Sequence, residues 1–169
     1  MLGYLSPNFY FGKFNEVTPE FLIEQNIKAL LIDIDNTIAP YELLEPDEDI
    51  TLWFNSLKEN GISFAFISNN SSDKRINQFN KSIGAPAFAK SKKPFAKKAI
   101  RKALDAMNVE KENVAFMGDQ IFTDICAGKF YGMRTIFISP ITETQTLLFK
   151  FKRALEKPVL KHYFKKINR

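Results

Sequence analysis

The chain has 169 residues, 45% of them hydrophobic and 25% charged, with a net charge of +5. That suffices for one buried core, and no apolar run approaches the roughly 20 residues of a membrane span. The single cysteine, Cys126, excludes an internal disulfide and suits a reducing, cytoplasmic setting.

The opening stretch, MLGYLSPNFYFGKFNEV, has aromatics but no basic flank before an apolar core, so it does not read as a signal peptide. Four short runs rich in Ile, Phe and Val follow: ALLIDI (29–34), SFAFIS (63–68), VAFMGD (114–119) and TIFIS (135–139). A weaker one, APAFA (85–89), lies between the second and third. None alternates cleanly, which suits strands covered on both faces. Helical stretches separate them. PDEDITLWFNSLKENG (46–61) opens on acids and closes on Gly61. KKPFAKKAIRKALDAMN (92–108) places Pro94 at the first helical position, and TDICAGKFYG (123–132) ends on Gly132. Strand alternating with helix predicts an α/β fold, a Rossmann-like three-layer sandwich with a mostly parallel central sheet.

In such sheets ligands bind beyond the carboxyl ends of the strands. Asp33 and Asp35 stand at that end of the first strong strand, Ser68, Asn69 and Asn70 at that of the second, and Asp119 at that of a later one. Carboxylates gathered in one pocket repel unless a cation holds them. All-oxygen ligands point to a hard cation, with Mg²⁺ the usual one at phosphate sites. A carboxylate can also attack phosphorus, and the transferring phosphoryl group then needs donors such as Ser68 and Lys93. Taken singly, each residue has a plainer reading: a cap or turn acid, a turn Ser-Asn-Asn, a surface lysine. Lys92 competes with Lys93 for the functional role. His162 is read as a solvated tail residue, Cys126 as a small buried residue, and Trp53 and Phe54 as core.

Together, DIDNT (33–37), ISNN (67–70), KKP (92–94) and GDQIFTD (118–124) resemble the four ordered motifs of the haloacid dehalogenase superfamily of phosphohydrolases. SPNFYF (6–11) and TPEFL (18–22) resemble its YqeG-like branch, subfamily IIIA. The resemblance spans about residues 2–140 and implies roles. Asp33 would be the nucleophile. Asp35 would be the acid and base, lending its backbone carbonyl to the metal. Thr37 would steady the loop, Ser68 would bind a phosphoryl oxygen with Asn69 beside it, and Lys93 would bridge nucleophile and phosphate. Asp119 would ligate Mg²⁺, and Asp124 would hold a metal water or orient the site.

Between Asp35 and Ser68 lie 32 residues, and between Ser68 and Lys93 lie 24, too few for a folded cap over the site. An open site suits a phosphate carried on something large, such as a lipid head group, or a site that an oligomeric neighbour covers. Residues 1–146 form the phosphatase-like domain on this reading, and 147–169 a helical tail of net charge +7 that packs on it or extends from it. In the tail, Val159, Leu160, Tyr163, Phe164 and Ile167 share one helical face beyond Pro158. That face either packs on the domain or lies on an anionic membrane surface, making the protein peripheral there. Nucleic-acid binding is disfavoured, because no aromatic-basic platform accompanies the charge. The leading reading is a Mg²⁺-dependent phosphomonoesterase acting through an aspartyl-phosphate. The YqeG-like resemblance points it to phosphatidylglycerophosphate. A phosphatase of a soluble sugar phosphate or nucleotide, and a non-catalytic scaffold that binds a partner through the basic tail, are the alternatives.

Overall fold

A computed structural model describes residues 2–142 and 147–167 of the chain. In chain order the elements are α1 (Leu2–Leu5), β1 (Phe9–Phe11), α2 (Pro19–Glu24), β2 (Ala29–Ile32), α3 (Glu48–Glu59), β3 (Ser63–Ile67) and α4 (Asp73–Asn80). Then follow β4 (Ala87–Phe88), α5 (Lys97–Met107), β5 (Val114–Gly118), α6 (Cys126–Phe130), β6 (Arg134–Ile138) and α7 (Leu147–Ile167). The six strands form one sheet in the order β1-β6-β5-β2-β3-β4, and every pairing is parallel.

Period-two alternation within each strand builds the three layers. In β2, Leu30 and Ile32 face a core with Leu22 of α2, Trp53, Phe54 and Leu57 of α3, and Phe79 of α4. Ala29 and Leu31 face the opposite core, with Ile100 and Ala103 of α5 and Ala127 of α6. Both faces are therefore apolar, which explains why these strands read as continuous runs. Trp53 and Phe54 are core residues, and Trp53 Nε1 donates to the Val17 carbonyl at 2.9 Å. Cys126 is buried on α6, and His162 is exposed on α7.

Local chemistry sets several boundaries. The Asp47 side chain caps α3 by accepting the Ile50 N–H at 2.9 Å, and Gly61 beyond its end has φ +72°. Thr18 caps α2 from Phe21 N–H, with Pro19 at its first position. One expectation moves: Pro94 does not open α5, which begins at Lys97. The Phe95 N–H is spent on the Lys92 carbonyl at 2.9 Å, so the chain makes a turn before the helix starts. That turn carries Lys93 inward.

Two further findings concern the chain ends. The aromatic segment at Phe9–Phe11 is a sheet strand, paired with β6, although it lacks the length of the other runs. The tail runs as one helix through Pro158. Pro158 and Ala154, four residues back, are both exposed, so water can serve the carbonyl that proline leaves without a partner. The apolar face put forward for this tail is divided. Val159 and Tyr163 are buried, Val159 against Phe137, Ile121 and Ile125, whereas Phe164 and Ile167 are exposed. Residues 168–169 of the tail lie outside the described residues.

Candidate active site

The strand order reverses at β2, with β3 on one side and β5 on the other, so the crevice opens beyond their carboxyl ends. The chain leaves β2 into Asp33, whose N–H extends the ladder to the Met117 carbonyl at 3.0 Å. It then turns sharply, with Asn36 at φ +67°. The Asn36 amide locks that turn, since its Oδ1 accepts the Thr142 N–H at 2.8 Å and its Nδ2 donates to the Thr142 carbonyl at 3.0 Å.

Asp33, Asp119 and Asp124 come together, each buried, with one oxygen from each lying within 4.8 Å of the others. Gly118 makes this convergence possible: a Cβ there would overlap the Asp124 side chain. Of the two lysines, Lys93 is the one that enters this cluster. Its Nζ lies 2.7 Å from Asp33 Oδ1 and 2.7 Å from Asp124 Oδ1, with the side chain 2% exposed. Lys92 points to solvent. Asn69 holds the lysine backbone in place: its Oδ1 accepts the Lys93 N–H at 2.6 Å and its Nδ2 donates to the Lys93 carbonyl at 3.2 Å. Ser68 is buried beside it, its Oγ accepting the Asn70 N–H at 3.0 Å. Thr37 is buried and its hydroxyl makes a long bond to Asp119 Oδ1, 3.4 Å.

The Asp35 carboxylate stands apart from the triad. Arg75 Nε of α4 meets its Oδ1 at 3.2 Å, and Asn70 Nδ2 donates to its Oδ2 at 3.3 Å. Four participants escaped the sequence reading. Arg75 sits among the other polar residues of α4 and carries no signal. Tyr41 lines the cavity from the loop after β2, its hydroxyl held protonated by burial and by the charges of Asp35 and Asp33. Arg153 and Glu156 arrive from α7. The Arg153 guanidinium bonds both the carbonyl and Oδ2 of Asp119, and its Nη1 donates to Glu156 Oε2 at 2.8 Å. Glu156 is the sole acid of the tail and lies three residues after an arginine, which is the signal that could have found the pair.

The balance of charge is short of cations. Lys93 and Arg153 face three carboxylates. Burial raises Asp33 well above the usual carboxylate range, against the pull of Lys93 and with the push of Asp124 and Asp119. Burial and the Asp124 charge push Asp119 up to about 7, against Arg153. Burial alone would lower Lys93, but Asp124 and Asp33 outweigh it and keep the ammonium charged. Two cations against three buried carboxylates leave room for further positive charge. Three buried carboxylates within reach of one point are hard oxygen donors that fit a divalent metal. The open cavity above them is about 130 Å³ and is lined by Asp33, Asp35, Ser68, Asn70 and Gln120 among others.

Residues 4–142 match the family model described as mitochondrial PGP phosphatase. The chain belongs to this family. It is also 33% identical over 144 residues to the probable phosphatase YqeG of Bacillus subtilis (strain 168), covering 85% of this chain and 83% of that one. Among solved structures, an uncharacterized protein from Listeria monocytogenes serotype 4b superposes with a TM-score of 0.54 at 16% identity, over 71% of this chain and 85% of that one. The cobalt-bound deoxy-D-mannose-octulosonate 8-phosphate phosphatase of Haemophilus influenzae gives 0.50 at 19% identity, over 83% and 91%. These two likenesses concern the fold. The chain is thus a phosphatase of the haloacid dehalogenase superfamily and its YqeG-like branch, a phosphoric monoester hydrolase.

Proposed function

We propose that the chain is a Mg²⁺-dependent phosphomonoesterase that works through an aspartyl-phosphate on an ester presented by an anionic lipid surface. The carrying observation is Lys93, buried between Asp33 and Asp124 at the floor of a small open cavity. Asp33, Asp119, Asp124 and the backbone carbonyl of Asp35 would hold the metal, which when bound offsets charge on the phosphoryl oxygens.

The chain's own residues carry the chemistry. An Asp33 carboxylate oxygen attacks phosphorus, and the bond from phosphorus to the ester oxygen breaks. Asp35 gives a proton to that leaving oxygen. Asp35, now a carboxylate, takes a proton from water as the water oxygen attacks phosphorus. The bond from phosphorus to Asp33 then breaks and inorganic phosphate leaves. Lys93 and Ser68 oppose the charge on the transferring oxygens, and Asn69 keeps Lys93 in place.

For the substrate, the cavity volume is below the roughly 300–1,000 Å³ of pockets that enclose small ligands. The gaps after β2 and β3 hold one helix and one strand each, so neither carries a cap domain. Apolar side chains are exposed nearby and on the tail. Phe95, two residues after Lys93, is 76% exposed and stacks on Phe130. Phe151 and Leu155 are exposed on α7, with Lys150, Lys157 and Lys161 exposed around them. Together with the description of the matching family, this favours phosphatidylglycerophosphate over a soluble phosphate.

Hydrolysis of phosphatidylglycerophosphate in mixed micelles should exceed that of sugar phosphates and nucleotides, and chelation of Mg²⁺ should abolish it. Faster hydrolysis of a soluble phosphate would reverse the assignment. The tail gives a second expectation. The protein should bind anionic vesicles at low salt and leave them as salt rises, since each base near such a surface contributes about 1 kcal/mol within a Debye length of about 8 Å at physiological salt. Lys161, Lys165 and Lys166, all exposed, changed together to Glu should release it, lower lipid hydrolysis and leave an aryl phosphate untouched. Indifference of the wild type to anionic vesicles would remove the membrane from this reading.

A further inference from the structure

We propose that Arg153 is a resident counter-ion of Asp119, holding that carboxylate in place and competing with the divalent metal for it, so that α7 tunes the metal affinity of the centre. The inference rests on the phosphatase reading above and adds to it a role for the tail helix inside the site.

Asp119 is completely buried, and a buried carboxylate needs partners. Thr37 offers only the long 3.4 Å contact to Oδ1. The guanidinium of Arg153 supplies the remainder, one nitrogen on the Asp119 carbonyl and the other on Oδ2. This two-point grip fixes the side chain as a single-point ammonium could not. Glu156, 2% exposed, anchors the arrangement. Its Oε2 accepts from Arg153 at 2.8 Å, and its Oε1 accepts the Ile121 N–H at 2.8 Å. One turn of α7 thus holds both ends of the segment from Asp119 to Ile121. Packing of Val159 against Phe137, Ile121 and Ile125 seats the helix there.

The two charges act on a dication with opposite sign. Arg153 repels it and occupies one of the Asp119 oxygens. Glu156 draws on the same guanidinium and adds negative charge. A helix that only supported the loop would weaken metal binding when either residue was lost.

Calorimetric titration of the full chain with Mg²⁺ alone, without substrate, separates these cases. Arg153→Met, which keeps bulk and removes charge, should lower the Kd about tenfold, as loss of one adjacent like charge does. Glu156→Gln, which keeps an acceptor for the Ile121 N–H, should raise it several-fold. Arg153→Lys should stay nearer the wild type than Arg153→Met. Without metal, Arg153→Met should melt lower than the wild type, and Mg²⁺ should recover more of its Tm. If Arg153→Met does not fold without metal, Arg153→Gln, which keeps a donor and removes the charge, decides by the same fall in Kd, since Glu156→Gln weakens binding on either account. A parallel loss of affinity in both variants, or Kd values within twofold of the wild type, would overturn the inference while leaving the phosphatase reading standing. A wild type that binds no Mg²⁺ at millimolar concentration would overturn both.

Discussion

Asp33→Asn is expected to lower turnover at least about a thousandfold, the scale on which a single catalytic group acts. The substitution keeps shape and removes the attacking charge. The surroundings tolerate it: Lys93 keeps its contact with Asp124 at 2.7 Å, and one of three mutually repelling buried acids is neutralised. The metal-free variant should therefore melt at or above the wild type, which separates a lost nucleophile from a lost fold. Acid quenching after brief exposure to labelled substrate should trap phosphate on the wild type and none on the variant. Near-normal turnover in Asp33→Asn would end the covalent mechanism.

Loss of Lys93 should be the most damaging change to stability. Its ammonium is 2% exposed and neutralises Asp33 and Asp124 together. Lys93→Met removes the cation and leaves both carboxylates buried. Breaking one side of a buried ion pair costs about 3–5 kcal/mol, a large part of the roughly 5–15 kcal/mol that stabilises a domain. Turnover should vanish with it. The loss should also depend on pH. Asp33 and Asp119 sit above their unfolded value of 3.8 in the folded chain, Asp119 at about 7. An acid raised in this way contributes stability that is full below about pH 4 and lost as pH rises through its folded pKa. Lys93, raised rather than lowered, stays charged throughout that window. The Tm difference between wild type and Lys93→Met, measured without metal, should therefore be wider at pH 8 than at pH 5. Equal differences at both would mean that the carboxylates have other partners.

The tail helix packs on the body, one of the two arrangements expected for it. A boundary at residue 146 follows charge, since bases crowd beyond it. Packing follows another line, because Glu156, Val159 and Tyr163 of α7 are buried against the body. The same helix presents lysines and Phe151 outward. One helix thus joins the proposed membrane surface to the proposed metal-binding loop.

The parallel sheet and part of the candidate site were legible in the sequence for a physical reason. Strands covered on both faces must be apolar throughout, and the fold puts ligands at their carboxyl ends, so Asp33, Ser68 and Asp119 announced themselves by position. Lys93 was legible through its neighbour in KKP, but only the turn at Lys92 to Phe95 decided which lysine enters the core. The strand Phe9–Phe11 was hidden because three residues carry no period. Arg75, Tyr41, Arg153 and Glu156 were hidden because each is an ordinary polar residue locally. Arg153 lies 34 residues from Asp119, and its partner is set by how α7 docks. The sequence by itself determined which chemistry is present, since residue types and strand ends are local properties. Tertiary structure alone decided which charges meet, because ion pairing depends on distances that chain folding creates.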